Sequence, residues 1–207
     1  MNSNAHFYRP SEGHGLTHNP FNSIVAPRPI GWVSSRSADG LNNLAPYSFF
    51  NAFNYTPPLV GFASVGYKHS VANIEATGMF GWNLATEANA IAMNKSSASV
   101  DADVDEFELA GLTPATGREV DTPIVAEAPV VFECRHSQTL QLTAADGSQT
   151  DTWLVLGEVV GVHIDSALIV DGVFDTAAAQ PILRGGGPAD YFTIDASMCF
   201  RMARPDS

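Results

Sequence analysis

The most constraining feature of this sequence is a series of short apolar runs with only turn residues between them. Three of these runs are Arg28–Ser35 (RPIGWVSS), Ala45–Phe53 (APYSFFNAF) and Pro57–Val65 (PPLVGFASV). Between the first two, Ser37–Gly40 ends in Asp-Gly, a dipeptide typical of hairpin turns. The third run begins with two prolines, which cannot donate ladder hydrogen bonds and suit the entrance of a strand. Closely spaced strands of this kind predict a mainly β protein of the barrel type.

The second half of the chain contains two longer β-rich runs. They are Ala128–Leu142 (APVVFECRHSQTLQL) and Thr152–Asp165 (TWLVLGEVVGVHID), and Thr143–Asp151 (TAADGSQTD) separates them. The connecting segment is polar and contains Asp-Gly, so it predicts a hairpin tip. Because few β-α-β units occur, a β-barrel with added helices is favoured over a doubly wound parallel sheet.

Three segments have helical patterns. Ser70–Gly78 (SVANIEATG) places apolar residues at helical spacing between a serine suited to the N-cap and a glycine suited to the C′ position. Thr86–Ala98 is rich in alanine, with Thr86 as a candidate N-cap. A shorter helical turn is predicted at Asp105–Leu112. These helices are additions to the β framework.

Composition and charge exclude several classes of partner. The chain has 207 residues, a length compatible with one domain over residues 1–207, of which 1–17 are expected to form an extended N-terminal arm. The formal net charge of -12 argues against binding to nucleic acid or to anionic membranes, since both require positive surfaces. Only 15% of residues are charged, so part of the surface is expected to lie in an oligomer interface.

The cysteines and the N-terminus favour a cytoplasmic protein. Cys134 and Cys199 are far apart and form no C-x-x-C pattern, which is typical of a reducing compartment. The first residues lack the apolar core of a signal peptide, and no apolar run approaches the roughly 20 residues that cross a bilayer.

The first candidate site surrounds one of only two lysines. Lys68, His69 and Ser70 directly precede the predicted helix, and a cation, a hydroxyl and free backbone N–H groups are what a phosphate requires. The alternative is that Ser70 is a plain N-cap and Lys68 a solvated turn residue. The other lysine, Lys95, also stands beside serines. Spacing alone does not separate these interpretations.

The second candidate site lies in the run Asp39–Phe53, where Asn42, Asn43 and Ser48 interrupt apolar and aromatic residues. The asparagines can simply complete the turn, and Ser48 can face solvent. A planar polar heterocycle would also need such a strand, since apolar flanks cover its faces and amide groups bind its edge.

Other catalytic patterns are weak or absent. The histidines show no metal-ligand spacing such as H-E-x-x-H, so no metal site is expected. The glycines at 185–187 lack the strand and helix of a dinucleotide-binding motif and are interpreted as a loop. No G-x-S-x-G sequence announces a hydrolase nucleophile.

Together these residues resemble a known family. PRPIGWVSS (27–35), NLAPYSFFNA (43–52) and DEFELAGLTP (105–114) closely resemble the flavin reductase-like, FMN-binding split-barrel proteins. The similarity is strong over about residues 18–135 and looser elsewhere. It implies a six-stranded antiparallel split barrel with helical additions, which forms a homodimer with two FMN sites at the subunit interface.

The resemblance also implies site residues. Asn43, Leu44 and Ala45 would meet the edge of the isoalloxazine ring, and a backbone donor near Ala45 would stabilise negative charge on the reduced ring. Ser34, Ser35 and Ser48 would reach the ribityl chain or the phosphate. Lys68 and Ser70 match the phosphate-binding positions of the family. His69 departs from the K-D-T pattern of many relatives, because it replaces an acid with a ring that is neutral or cationic.

The function implied by the resemblance is hydride transfer from NADH or NADPH to flavin N5, a reaction in which the cofactor carries the chemistry and no catalytic side chain is required. Three alternatives remain open at this point. The protein is a flavin reductase that supplies an oxygenase or a metal acceptor, a flavoprotein that reduces another small substrate, or a flavin carrier without catalytic activity.

Overall fold

The computed structural model describes residues 4–205. Its strands are β1 (Arg28–Pro29), β2 (Gly31–Arg36), β3 (Asn42–Tyr47), β4 (Phe50–Tyr55), β5 (Pro58–Val65), β6 (Met79–Asn83), β7 (Pro114–Thr116), β8 (Pro123–Val125), β9 (Val130–Thr143), β10 (Gln149–Ile164), β11 (Ile169–Val170), β12 (Val173–Phe174), β13 (Ile182–Arg184) and β14 (Tyr191–Thr193). Its α-helices are α1 (Phe21–Ile24), α2 (His69–Thr77), α3 (Ala90–Lys95) and α4 (Glu106–Ala110).

The central element is a seven-stranded antiparallel sheet in the order β3-β2-β6-β9-β10-β5-β4. Its two edge strands, β3 and β4, are consecutive in the chain and only Ser48 and Phe49 separate them. The two edges of the sheet therefore meet, and the sheet closes on itself. This confirms the prediction of a mainly β split barrel.

The strand count is one higher than the six expected, and the reason is local. The apolar run at 45–53 was expected to form one strand, but the structure divides it between β3 and β4. The first part pairs with β2 and the second with β5, so one extended segment serves both edges of the barrel.

Local turn signals act as expected. In the β2–β3 hairpin, the amide of Gly40 donates to the carbonyl of Ser37 at 3.0 Å, and Gly40 has a φ of 89° that favours glycine. The β9–β10 hairpin also forms, with its tip at residues 144–148. The strands of this hairpin contain register shifts, which allow long strands to bend around a barrel.

The core has two parts because β2 is buried on both faces. Val33 belongs to a cluster inside the barrel with Phe62, Phe80 and the α2 residue Ile74. Its neighbour Trp32 points the other way, into a second cluster that includes Leu44, Phe107 and Met93. Alternate residues of a strand face opposite sides, so β2 joins the barrel to the helical additions.

The predicted helices form with altered ends. Helix α2 starts two residues early: Lys68, not Ser70, occupies the N-cap, and no side chain caps it. The predicted end is confirmed, since Gly78 is left-handed and its amide donates to the carbonyl of Ile74 at 2.8 Å. The prediction that Thr86 caps the next helix is wrong, because Thr86 forms a β-bridge with Pro181.

Helix α3 is accordingly shorter than predicted, and Asn89 is its N-cap. Helix α4 confirms the third prediction, with the side chain of Asp105 accepting from the amide of Phe107 at 2.8 Å. Within residues 4–205, no helix is long and apolar enough to cross a membrane.

The N-terminal segment 4–20 contains one 3₁₀ turn, Pro10–Glu12, and is mostly exposed. The predicted single domain (1–207) and the predicted arm (1–17) include residues 1–3 and 206–207, which lie outside the described range. Both stay predictions.

Candidate functional site

A cleft of about 560 Å³ opens where the β3–β4 connection, the end of β5 and the start of α2 meet. Its lining residues are Asn22, Asn43, Ala45, Pro46, Tyr47, Ser48, Phe49, Ala63, Val65, Tyr67, Lys68, His69, Ser70, Ser96, Ser97, Ala98, Ser99, Val100 and Glu106. The volume is in the range of small-molecule sites, roughly 300–1,000 Å³. Both candidate sites of the sequence analysis therefore contribute to one cleft.

Strand β3 forms one wall through alternate residues. Asn43, Ala45 and Tyr47 face the cleft, whereas Leu44 is fully buried in the second core cluster. The side-chain amide of Asn43 is fixed from two directions, because its Nδ2 donates to Ser70 Oγ at 2.9 Å and to Ser35 Oγ at 3.3 Å. In the described chain, Asn43 Oδ1 accepts no hydrogen bond. Asn43 thus brings a carbonyl acceptor to the cleft wall.

The backbone of β3 offers acceptors to its free side. Trp32 of β2 lies opposite Pro46, which has no N–H. Hydrogen-bonded and non-hydrogen-bonded pairs alternate along an antiparallel ladder, so Trp32–Pro46 and Ser34–Leu44 are both non-hydrogen-bonded pairs. The amide and carbonyl of Leu44 therefore point away from β2. The amide donates to Glu106 Oε2 at 3.0 Å, a contact between residues 62 positions apart.

This geometry corrects one prediction. The amide of Ala45 points toward β2, so it is not the backbone donor that was expected at the ring edge. The side of β3 away from β2 instead carries the carbonyl groups of Leu44 and Pro46, and of these two residues only Pro46 lines the cleft. A ligand with N–H groups along its edge matches such a wall.

The start of α2 forms the opposite, cation-bearing wall. Lys68 and His69 are exposed, and Ser70 is buried next to Asn43. The first N–H groups of a helix have no acceptor within the helix, and α2 is nine residues long. This wall therefore combines positive charge, a hydroxyl and free amides, which are the groups that bind a phosphate.

Tyr47 connects the two walls from below. Its side chain is almost completely buried, and its hydroxyl lies near the hydroxyls of Ser70 and Ser64. Burial raises the pKa of Tyr47 above its ordinary value, so the phenol stays protonated. The floor of the cleft is thus formed by neutral hydroxyl groups.

Glu106 is the one carboxylate among the lining residues. It is 5% exposed, and burial raises its pKa while the bond from the Leu44 amide offsets part of that rise. In a chain with a net charge of -12, a cleft lined by Lys68, His69 and a single buried acid is locally favourable for an anion.

Arg28 fixes the β3–β4 connection. Its Nε donates to the carbonyl of Ser48 at 3.0 Å, and its Nη1 donates to the carbonyls of Asn22 and Val25 in and after α1. The guanidinium also lies 5.6 Å from the centre of the Phe49 ring. One buried arginine therefore positions three residues that line the cleft: Ser48, Phe49 and Asn22.

The structure brings together six of the nine predicted site residues at the cleft: Asn43, Ala45, Ser48, Lys68, His69 and Ser70. Ser34, Ser35 and Leu44 do not line it, and all three are fully buried. Ser34 Oγ accepts from Asn83 Nδ2 at 3.0 Å, and Ser35 supports Asn43. These two serines are therefore parts of the protein's own hydrogen-bond network.

Sequence reasoning missed several lining residues. Phe49 and Tyr67 looked like ordinary strand and turn residues, and Glu106 was interpreted only as part of a helix start. Ser96 and Ser97 had a partial signal, since Lys95 was noted beside serines, but the serines line the cleft and the lysine does not. Their positions depend on how α3 and α4 pack beside β3.

Comparison with known proteins assigns the family. The sequence model of the flavin reductase-like domain matches residues 24–177. The chain belongs to the flavin reductase-like family. An uncharacterized protein of Deinococcus radiodurans is 36% identical over 181 residues, covering 82% of this chain and 77% of that relative.

Solved structures of this family share the fold. Nitrilotriacetate monooxygenase component B from Bacillus cereus has a TM-score of 0.81 and 28% identity, covering 90% of this chain and 98% of that chain. The 2-nitrobenzoate 2-nitroreductase of Pseudomonas fluorescens has a TM-score of 0.77 and 28% identity, covering 89% of this chain and 88% of that chain. The predicted family is confirmed.

The residues of the cleft fit FMN. The phosphate requires a cation and N–H or O–H donors, which the start of α2 supplies through Lys68 and Ser70. The polar edge of the ring carries an N–H group, which the acceptors of β3 match. The apolar ring faces can lie against Phe49, Ala63 and Val65. No lining residue introduces an exposed acid that would repel the phosphate.

Proposed function

We propose that this protein is an FMN-binding oxidoreductase, an NADH- or NADPH-dependent flavin reductase. The observation that carries the proposal is that Lys68, His69 and Ser70, at the start of a nine-residue helix, line the same cleft as Asn43 and Pro46, which carry the acceptors of β3. A cationic wall and an acceptor wall within one cleft match the two polar ends of FMN.

In this proposal the phosphate binds at the start of α2. Lys68 supplies the charge, and the backbone amides of His69 and Ser70 supply donors. Ser70 Oγ already accepts from Asn43, so its position is fixed before any ligand binds. His69 stands where the family resemblance implies an acid, and it adds no negative charge beside the phosphate.

The ring edge binds along β3. Asn43 Oδ1 and the carbonyl of Pro46 accept from the ring, and Ser48 lies beside them with its carbonyl held by Arg28. When bound, FMN supplies the chemistry, since its N5 atom accepts a hydride from the nicotinamide. The protein's tasks are to orient the ring and to exclude water through Phe49, Ala63 and Val65.

The acceptor of the electrons is suggested by the relatives. One similar protein is a component of a nitrilotriacetate monooxygenase, and another is a 2-nitrobenzoate nitroreductase. We therefore include a partner oxygenase, to which reduced flavin is supplied, and keep reduction of a small aromatic substrate as the second candidate.

The proposal also includes a cytoplasmic homodimer. Large apolar side chains are exposed on this chain, among them Tyr55 at 93% and Ile91 at 78%, and a second copy would cover such side chains. Cys134 and Cys199 are both free thiols, which fits a reducing compartment.

The test uses the two lysines of the chain as a matched pair. FMN is titrated into the wild-type protein, Lys68→Met and Lys95→Met, and binding is followed by flavin fluorescence. Loss of a charge-assisted contact worth about 1.5 to 3 kcal/mol should raise the Kd of Lys68→Met about ten- to hundredfold. Lys95 is exposed and lies outside the cleft, so Lys95→Met should bind like the wild type. Equal affinities for the two variants would refute the phosphate assignment.

Turnover separates the proposed enzyme from a flavin carrier. NADH and NADPH oxidation is measured with and without added free FMN. A reductase oxidises many equivalents of one of the two, whereas a carrier gives at most one equivalent per site.

A further inference from the structure

Tyr67 is a half-exposed aromatic residue that three separate contacts hold at the cleft. Its side chain is 51% exposed and lines the cleft directly before Lys68. Its hydroxyl donates to Oε2 of Glu75, a residue of α2. Its ring packs on Trp153 of β10 in a T-shaped arrangement, with 5.0 Å between ring centroids and an interplanar angle of 76°.

The backbone before Tyr67 is fixed as well. Gly66 has a φ of 86°, and its amide donates to the carbonyl of Asp151 at 2.7 Å. Its carbonyl accepts from Ser64 Oγ at 2.8 Å. The turn is thus tied to β10 and to β5 through Gly66, the residue directly before the tyrosine. Trp153 in turn packs against the buried barrel cluster, so the support for the ring reaches the core.

A tyrosine that only fills space does not need this arrangement. Turn tyrosines at a surface normally keep side-chain freedom, and fixing one costs conformational entropy. Here the hydroxyl and part of the ring are occupied by the protein, and the remaining part of the ring stays open to the cleft. A ring held in this way binds a second planar ring without a further entropy cost.

The neighbours of Tyr67 define the chemistry of its ligand. Ala63 and Val65 line the same side of the cleft, at alternate positions of β5 that lead to Tyr67. The carbonyl of Phe49 accepts from the amide of Ala63 at 2.8 Å, so the Phe49 backbone continues this apolar strip. Tyr67 extends the apolar strip Phe49, Ala63 and Val65 that would cover the flavin ring. The Tyr67 ring beyond this strip suits an uncharged planar ring.

We propose that Tyr67 stacks on the aromatic ring of the second substrate, a planar single-ring compound that enters the cleft beside FMN, and that Glu75 is the positioning residue for Tyr67. This inference rests on the proposed function, because a second substrate requires a bound flavin. The ring belongs either to the nicotinamide of the reductant or to an aromatic electron acceptor, and both present the same uncharged planar face.

The test compares two neutral probes of similar size on the FMN-loaded protein. Benzamide has a planar aromatic ring, and cyclohexanecarboxamide has the same amide on a puckered ring. Neither carries a charge that would bind the phosphate-binding cations. Binding is followed by the change in the flavin absorption spectrum, since the Trp153 fluorescence is itself sensitive to changes at Tyr67.

The wild-type protein should prefer benzamide, and Tyr67→Leu should bind it about three- to tenfold more weakly, the usual worth of an aromatic pair. Tyr67→Phe keeps the ring but loses the bond to Glu75, so its affinity for benzamide should lie between those of the wild type and Tyr67→Leu. Glu75→Ala should resemble Tyr67→Phe, and the pair of changes should not add, because both remove the same contact. Cyclohexanecarboxamide should bind all variants equally.

The Kd of FMN distinguishes this inference from the proposed function. It should change less than twofold in Tyr67→Leu. A large loss of FMN affinity would make Tyr67 a cofactor contact and overturn the inference while the proposed function stands. Unchanged benzamide affinity in Tyr67→Leu would also overturn it. Failure of the wild-type protein to bind FMN would refute the proposed function first.

The source of the ring is identified by the KM for NADH with ferricyanide, an acceptor without an aromatic ring. A KM that rises three- to tenfold in Tyr67→Leu assigns the stacked ring to the nicotinamide. An unchanged KM, together with weaker benzamide binding, assigns it to an aromatic acceptor.

Discussion

A buried carboxylate outside the cleft provides the sharpest quantitative prediction. Glu133 of β9 is fully buried between two glycines of the neighbouring strands, Gly81 and Gly161. Its carboxylate accepts from the amides of Arg118 at 2.8 Å, Glu119 at 2.7 Å and Val120 at 2.9 Å. Nε2 of His163 adds a fourth contact, at 2.5 Å. The loop between β7 and β8 is therefore bound to the barrel through one side chain.

These contacts determine the ionisation of Glu133. Burial by itself would raise its pKa, but the hydrogen bonds from the loop amides and from His163 outweigh burial and lower the pKa from 4.5 to about 2. Each pKa unit corresponds to about 1.4 kcal/mol, so ionisation of Glu133 stabilises the folded state by about 3 kcal/mol. Because the folded-state pKa is the lower one, this contribution is complete above about pH 4.5 and is lost as the pH falls toward 2.

Glu133→Gln removes the charge and keeps the shape of the side chain. Urea unfolding at pH 7 should show a loss of about 3 kcal/mol. The difference from the wild type should shrink between pH 4.5 and pH 2, since the wild type then loses the same contribution. Glu158→Gln is the control, because Glu158 is an exposed residue of β10, and its effect should stay within about 0.5 kcal/mol. A loss for Glu133→Gln that is the same at pH 7 and pH 3 would show that the charge is not its cause.

Two further predictions concern the cleft wall and the assembly. Arg28→Met should lower the free energy of unfolding, measured with urea, by about 2 to 4 kcal/mol, since it leaves the carbonyls of Ser48, Asn22 and Val25 without their donor. Arg28→Lys should restore only part of this stability, because a single ammonium cannot replace the guanidinium fork. Full restoration by lysine would contradict that reasoning. Light scattering of the FMN-loaded protein should give twice the chain mass of 22.0 kDa, and a monomer that still binds FMN would contradict an interface site.

The fold was predictable where local signals and the overall pattern agreed. Asp-Gly before β3 and the glycine after α2 act through bonds to residues three or four positions away, so the sequence shows them directly. The candidate phosphate-binding segment Lys68–Ser70 could also be predicted from the sequence, because the helix start and the cation are adjacent in the chain. The N-cap was misplaced by two residues because a helix start depends on the backbone around it as well as on side-chain preference.

The orientation of the strand residues was less predictable. Ser34 and Ser35 are neighbours of equal chemistry, yet Ser34 contacts Asn83 and Ser35 contacts Asn43 on the opposite face. The register of β2 against β3 and β6 decides this, and register is a property of paired strands. The same register turns the amide of Ala45 away from the cleft.

The sequence by itself therefore determined the mainly β class, the turns, the family and the residue types that could hold a phosphate and a planar ring. Only the tertiary structure decided that one apolar run would serve as both edge strands of the barrel, that Glu106 would bind the amide of Leu44, and that Tyr67 would be fixed at the cleft. The physical reason is the range of the interactions. Turns, caps and periodicity arise between residues close in the chain, whereas edge closure, burial and side-chain support arise between residues that only the folded chain brings together.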